Sequence, residues 1–433
     1  MKRIEWLFHI LAFALQCGAI TPLLLRTSVE ANALGASNPL NTFANGFVLV
    51  VVLCLLLLHR KEVFVYAPRM WPVLALAALA VLSTAWSDYP DITIRRAASL
   101  VTAMLWAWYV TARYDLKDVI AIMRQTIWLT ALASLAVGLA LPSMGRDDSG
   151  GWPGIFATKN SLGIIMALGS TTFFYALLGR GQRVLKLLFW VSGFLLCTGM
   201  LYLSQSRTSW LVAMLGVVLC VAIALTYKRV GLAIILWTAI VLLFAPAVII
   251  IMEQLESILP LLGRDSTLTG RVDLWLALPS YIAQRPWLGH GFAAFWVQDS
   301  TNVFMIWSLV GWEPPTGHNG WLDLLLELGA AGLALVVVQV LIIFVNGIRA
   351  VVDGREPHIR YFIVTTLLIL FYNLAESNLV RPDVMWILLV TSAAALAKIA
   401  KQREAVEEPR TSMRYRRGRP YAPPQGRRGI TAS

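Results

Sequence analysis

The chain has 433 residues, 58% of them hydrophobic and only 14% charged, with 36 Lys and Arg against 24 Asp and Glu for a net charge of +12. An ordinary soluble protein carries roughly 25% charged residues. The composition therefore excludes a soluble enzyme with charged surfaces and makes lipid the solvent for much of the chain. The 17 Trp and 12 Tyr suit a protein with two membrane interfaces, where amphipathic rings gather.

About 20 apolar residues cross a bilayer. Runs of that kind predict an all-α polytopic membrane protein with about 12 transmembrane helices, at roughly 4–25, 43–58, 70–86, 97–112, 119–141, 160–179, 184–203, 208–227, 230–252, 319–347, 361–379 and 383–399. The first span follows Met1-Lys2-Arg3 but is too long for a signal-peptide core and lacks a clear cleavage site, so it reads as a helix. The second is short, and the fifth carries Arg124 near its inner end. Residues 1–400 form one transmembrane domain; within it, 253–318 is a large external loop between helices 9 and 10.

Basic residues set the orientation. Arg60, Lys61, Arg69, Arg113, Lys117, Arg180, Arg183, Lys186, Lys228, Arg229, Arg349, Arg355 and Arg360 fall on one side, and the positive-inside rule makes that side and both termini cytoplasmic. The tail, 401–433, is basic and is expected to lie disordered beside anionic headgroups. Its Arg414-Tyr415-Arg416-Arg417 run also suits nucleic acid, but no folded nucleic-acid module accompanies it. Cys17, Cys54, Cys197 and Cys220 lie in apolar spans without a close pair, so packing rather than a disulfide or metal site is expected.

Ionisable groups in or against a membrane are functional candidates by default. On the outer side they occupy four places. The first is the loop at 144–154, followed by Thr158-Lys159-Asn160 at a helix start. The second is Ser206-Arg207-Thr208, and the third is the long loop with Arg271. The fourth is His318-Asn319, with Asp323 and Glu327 beyond. In the long loop, Gly270-Arg271-Val272-Asp273-Leu274-Trp275 opens a helix ending before Pro286, with Leu274, Trp275, Leu278 and Ile282 on one apolar face. The turn at 286–292, with Gly289-His290-Gly291, reads as a phosphate loop or as a simple return to the membrane. Arg207 and Arg271 each admit two readings. The guanidinium binds phosphate with two parallel hydrogen bonds, or it pairs with Asp265, Asp273 or Glu313 or snorkels to lipid phosphate. His318 is a helix-end structural residue or a proton acceptor, since imidazole titrates near external pH. Asp147-Asp148 reads as a solvated loop rather than a metal site.

In order and sidedness these pieces resemble the O-antigen ligase and polymerase superfamily. The elements are Trp86-Ser87-Asp88 with Arg95-Arg96, Gly154-Ile155-Phe156 with Lys159-Asn160-Ser161-Leu162-Gly163, and Ser206-Arg207-Thr208. They continue with Gly270-Arg271-Val272-Asp273-Leu274-Trp275, Pro286-Trp287-Leu288-Gly289-His290-Gly291, and His318-Asn319 leading to Leu326-Glu327-Leu328-Gly329. The likeness spans roughly residues 80–380 and is strongest to succinoglycan-type exopolysaccharide polymerases.

The resemblance implies a membrane glycosyltransferase-like fold in the cell inner membrane, acting at the periplasmic face on undecaprenyl-diphosphate-linked oligosaccharide. Arg207 and Arg271 would then bind the diphosphate, and His318 would be the catalytic base of an inverting displacement. Lys159, Asn160, Asn319, Glu327 and His290 are the candidate supporting residues; His290 stands where relatives usually place a smaller or aliphatic residue. No cofactor or metal is implied. Partners would be the membrane, the lipid-linked glycan, and chain-length regulator and export proteins. A ligase to another acceptor, a lipid-linked glycan transporter or flippase, and a noncatalytic scaffold are the rival readings, though no repeated halves support a transporter.

Overall fold

The computed structural model describes residues 2–20, 39–147, 149–179, 182–225, 269–354 and 356–417, and among these the chain is helical with no strand. In chain order the helices are α1 (Lys2–Gln16), α2 (Pro39–Leu58), α3 (Trp71–Leu82), α4 (Pro90–Arg113), α5 (Leu116–Ala140), α6 (Lys159–Leu177) and α7 (Val184–Ser204). They continue with α8 (Arg207–Leu225), α9 (Thr269–Ile282), α10 (Thr301–Val310), α11 (Gly320–Asp353), α12 (Ile359–Tyr372) and α13 (Val384–Arg417). Among the described residues, eight helical stretches are long and apolar enough to cross a membrane: α2, Arg60–Ala85 containing α3, α5, α6, α7, α8, α11 and Val384–Glu404 of α13. The expected ninth span, 230–252, and the loop start, 253–268, lie outside the described residues.

Several boundaries differ from expectation for local reasons. The second span is a full 20 residues, because Pro39 opens it four residues early. Likewise, α4 begins at Pro90 rather than at 97, adding a polar turn with Asp91, Arg95 and Arg96. Residues 361–379 are not one span: α12 stops at Tyr372, and 373–383 is irregular. There Asn373 folds back, its Nδ2 donating to the Ile369 carbonyl (2.8 Å) and its Oδ1 accepting from the Asn378 amide (2.8 Å). Such side-chain bonds offer the backbone an alternative to the helix ladder. Helix α13 continues to Arg417, into the tail expected to be disordered, and residues from 418 lie outside the described set.

The bundle centres on α6, whose residues from Leu162 to Phe173 are all buried, packed by α7, α8 and α5. Helices α12 and α13 form a second buried layer against α4 and α8, while exposed Leu57, Leu58, Leu185 and Leu188 suit lipid contact. At the inner end by the charge reading, Lys398 Nζ donates to the carbonyls of Thr111, Ala112 and Tyr114 (3.3, 3.2 and 2.7 Å), a cation closing the C-terminus of α4. Arg403 meets Asp353 at 3.1 Å, and Arg69 binds Glu404.

At the opposite end α9 and α10 form a small helical cap with its own core. Leu274 and Leu278 of α9, two of the four residues of the expected apolar face, are fully buried with Phe295, Trp296, Val303, Ile306 and Leu326. Phe304, Met305 and Leu309 of α10, a helix outside the expected set, stay exposed at this end of the bundle.

The cap is tied down through a break in α11. Gly329 has φ 61° and ψ −161°, so the helix is interrupted there. The 286–292 turn supplies partners for the freed backbone. Ala330 and Ala331 amides donate to Pro286 and Trp287 carbonyls (2.8 and 3.1 Å), and His290 and Gly291 amides donate to Leu326 and Glu327 carbonyls (2.8 and 3.0 Å). A broken helix within a membrane bundle needs such partners. A Cβ on Gly289 would lie 2.4 Å from the Glu327 carbonyl carbon, and one on Gly329 2.4 Å from that of Trp287. These glycines let two backbones touch, which is the simple-turn reading of the motif. Gly329→Ala combines a left-handed residue with overpacking and is expected to destabilise the protein by about 2–5 kcal/mol. An unchanged midpoint of thermal unfolding in detergent would mean that the turn yields instead.

Candidate active site

The fold brings four segments to one place, at the end of the bundle opposite Lys398. Asn319 caps α11, its Oδ1 accepting from the amides of Trp321 (3.0 Å) and Leu322 (3.2 Å). The Asn319 amide donates to Ser377 Oγ (3.1 Å), and the Gly320 amide donates to the carbonyls of Asn373 and Glu376 (both 2.9 Å). The irregular segment after α12 is thereby laced onto the start of α11. Glu376, at 9% exposure, is held inside that junction.

Three of the expected site residues converge on the Glu376 carboxylate. Arg271, in the first turn of α9, places its guanidinium 3.9 Å from Oε1 while donating to the Ala375 carbonyl at 2.8 Å. Asn160, in the first turn of α6, donates to Oε1 at 3.4 Å. His318 Nδ1 lies 3.9 Å from Oε2. That is too long for a hydrogen bond, and Nδ1 is buried without a hydrogen-bond partner among the described residues. The imidazole is stacked on Trp312, centroids 5.8 Å apart at 27°, and the His318 amide donates to Thr316 Oγ1 (3.3 Å). His318 has φ 48°. A non-glycine residue there costs about 1–2 kcal/mol, and such outliers persist where the surroundings over-determine them, often at functional sites.

Arg207 is exposed at the first residue of α8 and has no ion pair among the described residues. It touches neither Arg271 nor His318 directly. Its link to them runs through α6: Ser206 and Ser209 pack over Gly163, where a Cβ would meet Ser206 Cβ at 2.6 Å, and Asn160 lies one turn earlier. Lys159 points away from Glu376, with Nζ donating to Ser149 Oγ at 2.5 Å and lying 3.7 Å from Asp147 Oδ2. Asp147 in turn accepts from Ser149 Oγ and the Gly151 amide (2.7 and 2.8 Å), a loop-closing role; Asp148 lies outside the described residues.

Two expected supporting residues lie outside the Glu376 cluster and pair elsewhere. Glu327 is 3% exposed and takes a two-pronged ion pair from Arg381 (2.7 and 2.6 Å), not from the His318 cluster. His290 is buried between Asp88 Oδ2 (3.4 Å) and the Tyr281 carbonyl (3.1 Å), and Arg285 binds the same Asp88 at 2.7 Å. Together they fasten the loop turn to the Trp86-Ser87-Asp88 segment. Arg96 supports the same turn by donating to the Ala293 carbonyl. Removing one partner of a buried pair strands a charge, so Arg381→Ala is expected to cost about 3–5 kcal/mol, with Glu327→Leu plus Arg381→Met recovering most of it. Thermal unfolding reads both; a stable but inactive double variant would give the pair a part in turnover.

A membrane bundle with Arg, His, Asn and a carboxylate gathered at one end defines the class: a polytopic protein with a polar site where a loop re-enters the bundle. Residues 192–337, which contain Arg207, Arg271 and His318, match the O-antigen ligase family. Over 354 residues, 80% of this chain and 81% of the relative, the chain is 25% identical to the exopolysaccharide production protein ExoQ of Rhizobium meliloti (strain 1021). The likeness read from the order of the motifs thus agrees with a family match over residues 192–337 and with a relative aligned over 80% of the chain.

Proposed function

We propose that the chain is an exopolysaccharide polymerase. It joins undecaprenyl-diphosphate-linked oligosaccharide repeats at the periplasmic face of the inner membrane, with both termini in the cytoplasm. The observation that carries this reading is the meeting of Arg271, Asn160 and His318 at Glu376, from four segments separated in sequence.

In the proposed reaction an acceptor sugar hydroxyl attacks the anomeric carbon of the donor. The new glycosidic C–O bond forms as the bond to the diphosphate breaks, with inversion. Glu376 faces His318 Nδ1, which leaves Nε2 to take the hydroxyl proton, the division of labour that an oriented imidazole permits. Arg271, with Arg207 at the neighbouring helix start, stabilises the charge growing on the departing undecaprenyl diphosphate. That leaving group makes nucleotide or metal activation unnecessary. The acceptor separates polymerase from ligase: a second lipid-linked repeat or another glycan. Purified protein in vesicles, given defined lipid-linked repeats, is expected to yield longer lipid-linked products. Products appearing only with a different acceptor would assign a ligase, and none with either would remove the transferase reading.

A further inference from the structure

The inner end of the bundle holds a cavity unrelated to the outer cluster. It has a volume of about 360 Å³ and opens between the starts of α5 and α7, the ends of α6 and α8, and the turn before α12. This is at the lower end of the size of small-molecule sites, room for a headgroup and part of one chain. Among the described residues its lining includes Lys117, Arg124, His358 and Arg360 and no carboxylate; Glu356, just outside it, accepts from the His358 amide at 3.1 Å. Burial lowers the His358 pKa, so that ring is a neutral hydrogen-bonding group there.

Arg124 is the anomaly. It lies about 12 Å along α5 from Leu116, inside the expected span, with its guanidinium 5.6 Å over the Trp190 ring and no ion pair among the described residues. Among the described residues its Nε is buried without a hydrogen-bond partner, as are His358 Nδ1 and Gln182 Oε1 on the same cavity wall. Uncompensated polar atoms of this kind are costly, and here three of them line one space. The rest of the wall is apolar, from Ile120, Trp190 and Ile223.

A cationic, carboxylate-free pocket with an apolar wall at the inner interface matches a phosphate group attached to a hydrocarbon chain. We propose that this cavity binds an anionic phospholipid of the adjacent leaflet, its phosphodiester on Arg124 and Lys117 and an acyl chain along Ile120, Trp190 and Ile223. A free phosphate compound shares the headgroup chemistry but would not use the apolar wall.

The test is native mass spectrometry of the full chain in neutral detergent, titrated with phosphatidylglycerol or phosphatidylcholine of identical acyl chains. Both lipids carry the phosphodiester, but the choline ammonium of phosphatidylcholine would sit among Lys117, Arg124 and Arg360. Phosphatidylglycerol is therefore expected to bind at least about tenfold more tightly, and Arg124→Gln to weaken its binding and narrow that preference. Lys117→Gln, at the exposed mouth, should weaken the preference without disturbing folding. Ala224→Trp, which fills the cavity from an exposed wall position, should remove binding without changing any charge. These two variants decide the matter if Arg124→Gln does not fold. Equal binding of the two lipids, or preferences unchanged in Lys117→Gln and Ala224→Trp, would overturn the proposal. Displacement of the bound lipid by millimolar inorganic phosphate would overturn the lipid assignment in favour of a free phosphate compound.

Discussion

Arg271→Lys is expected to insert and fold normally and to lose about ten- to a hundredfold in polymer synthesis, the worth of one charge-assisted hydrogen bond of roughly 1.5–3 kcal/mol. In the structure the guanidinium bridges two groups at once, the Ala375 carbonyl at 2.8 Å and the Glu376 carboxylate at 3.9 Å. Its planar fork has further N–H groups for an anion, which an ammonium on a flexible stem does not reproduce. The variant separates recognition of a diphosphate from mere charge, because lysine keeps the charge. The measurement is the rate of lipid-linked polymer formation by purified protein, with thermal unfolding as the control. A normal rate would reduce Arg271 to a clasp that closes the 373–383 segment. A lowered unfolding midpoint with a matching loss of activity would say the same. Glu376→Gln is the companion variant: it keeps the shape and the Asn160 contact but removes the charge that faces both Arg271 and His318. It is expected to fall in rate by a similar factor.

How much of this was legible beforehand divides along physical lines. The helical membrane class, the helix that opens at Gly270-Arg271 and the apolar face of α9 all follow from hydropathy and periodicity, signals that repeat over many residues. The pairing of that turn with the break at Gly329 is not a periodic signal. It depends on two glycine backbones meeting across 40 residues of sequence. Among single residues, Arg271, Asn160 and His318 were readable because charge and hydrogen-bonding groups stand out at the ends of apolar runs. Glu376 was not, because 361–379 reads as one apolar span and the Glu376-Ser377-Asn378 triplet sits near its end. An ionisable residue inside such a span was the available signal, and Asn373 folding back on Ile369 is what turns it into the centre of a site. The partner of Glu327 was hidden for the converse reason. An acidic residue two turns into a helix that opens on His318 has the spacing of a partner, yet Arg381, brought in from the far side of α12, claims it. Long-range pairing of opposite charges leaves no mark in a local window.

His318→Ala is expected to bring the largest loss, about 10²–10⁴-fold in polymer formation, the range typical of a positioned general base. Its expression, insertion and retention of lipid-linked donor should be largely preserved. The side chain is only partly buried, its ring contacts are with Trp312 and Glu376, and its removal strands no ion pair of the kind that joins Glu327 to Arg381. The left-handed backbone at His318 sharpens the test. Alanine at φ 48° keeps a similar backbone penalty, whereas His318→Gly relieves it. A purely structural role predicts that glycine is tolerated or even stabilising while turnover continues. A catalytic role predicts that both variants are inactive and that glycine is at least as stable as alanine. In cells, the polymerase reading requires single lipid-linked repeats to accumulate where they can be labelled from outside, because translocation is intact and joining is not. A transporter would leave those repeats confined to the inner face. Repeats trapped inside would therefore remove the polymerase assignment. A purified alanine variant that polymerises at the normal rate would leave His318 a helix-end residue and send the search for the base to Glu376.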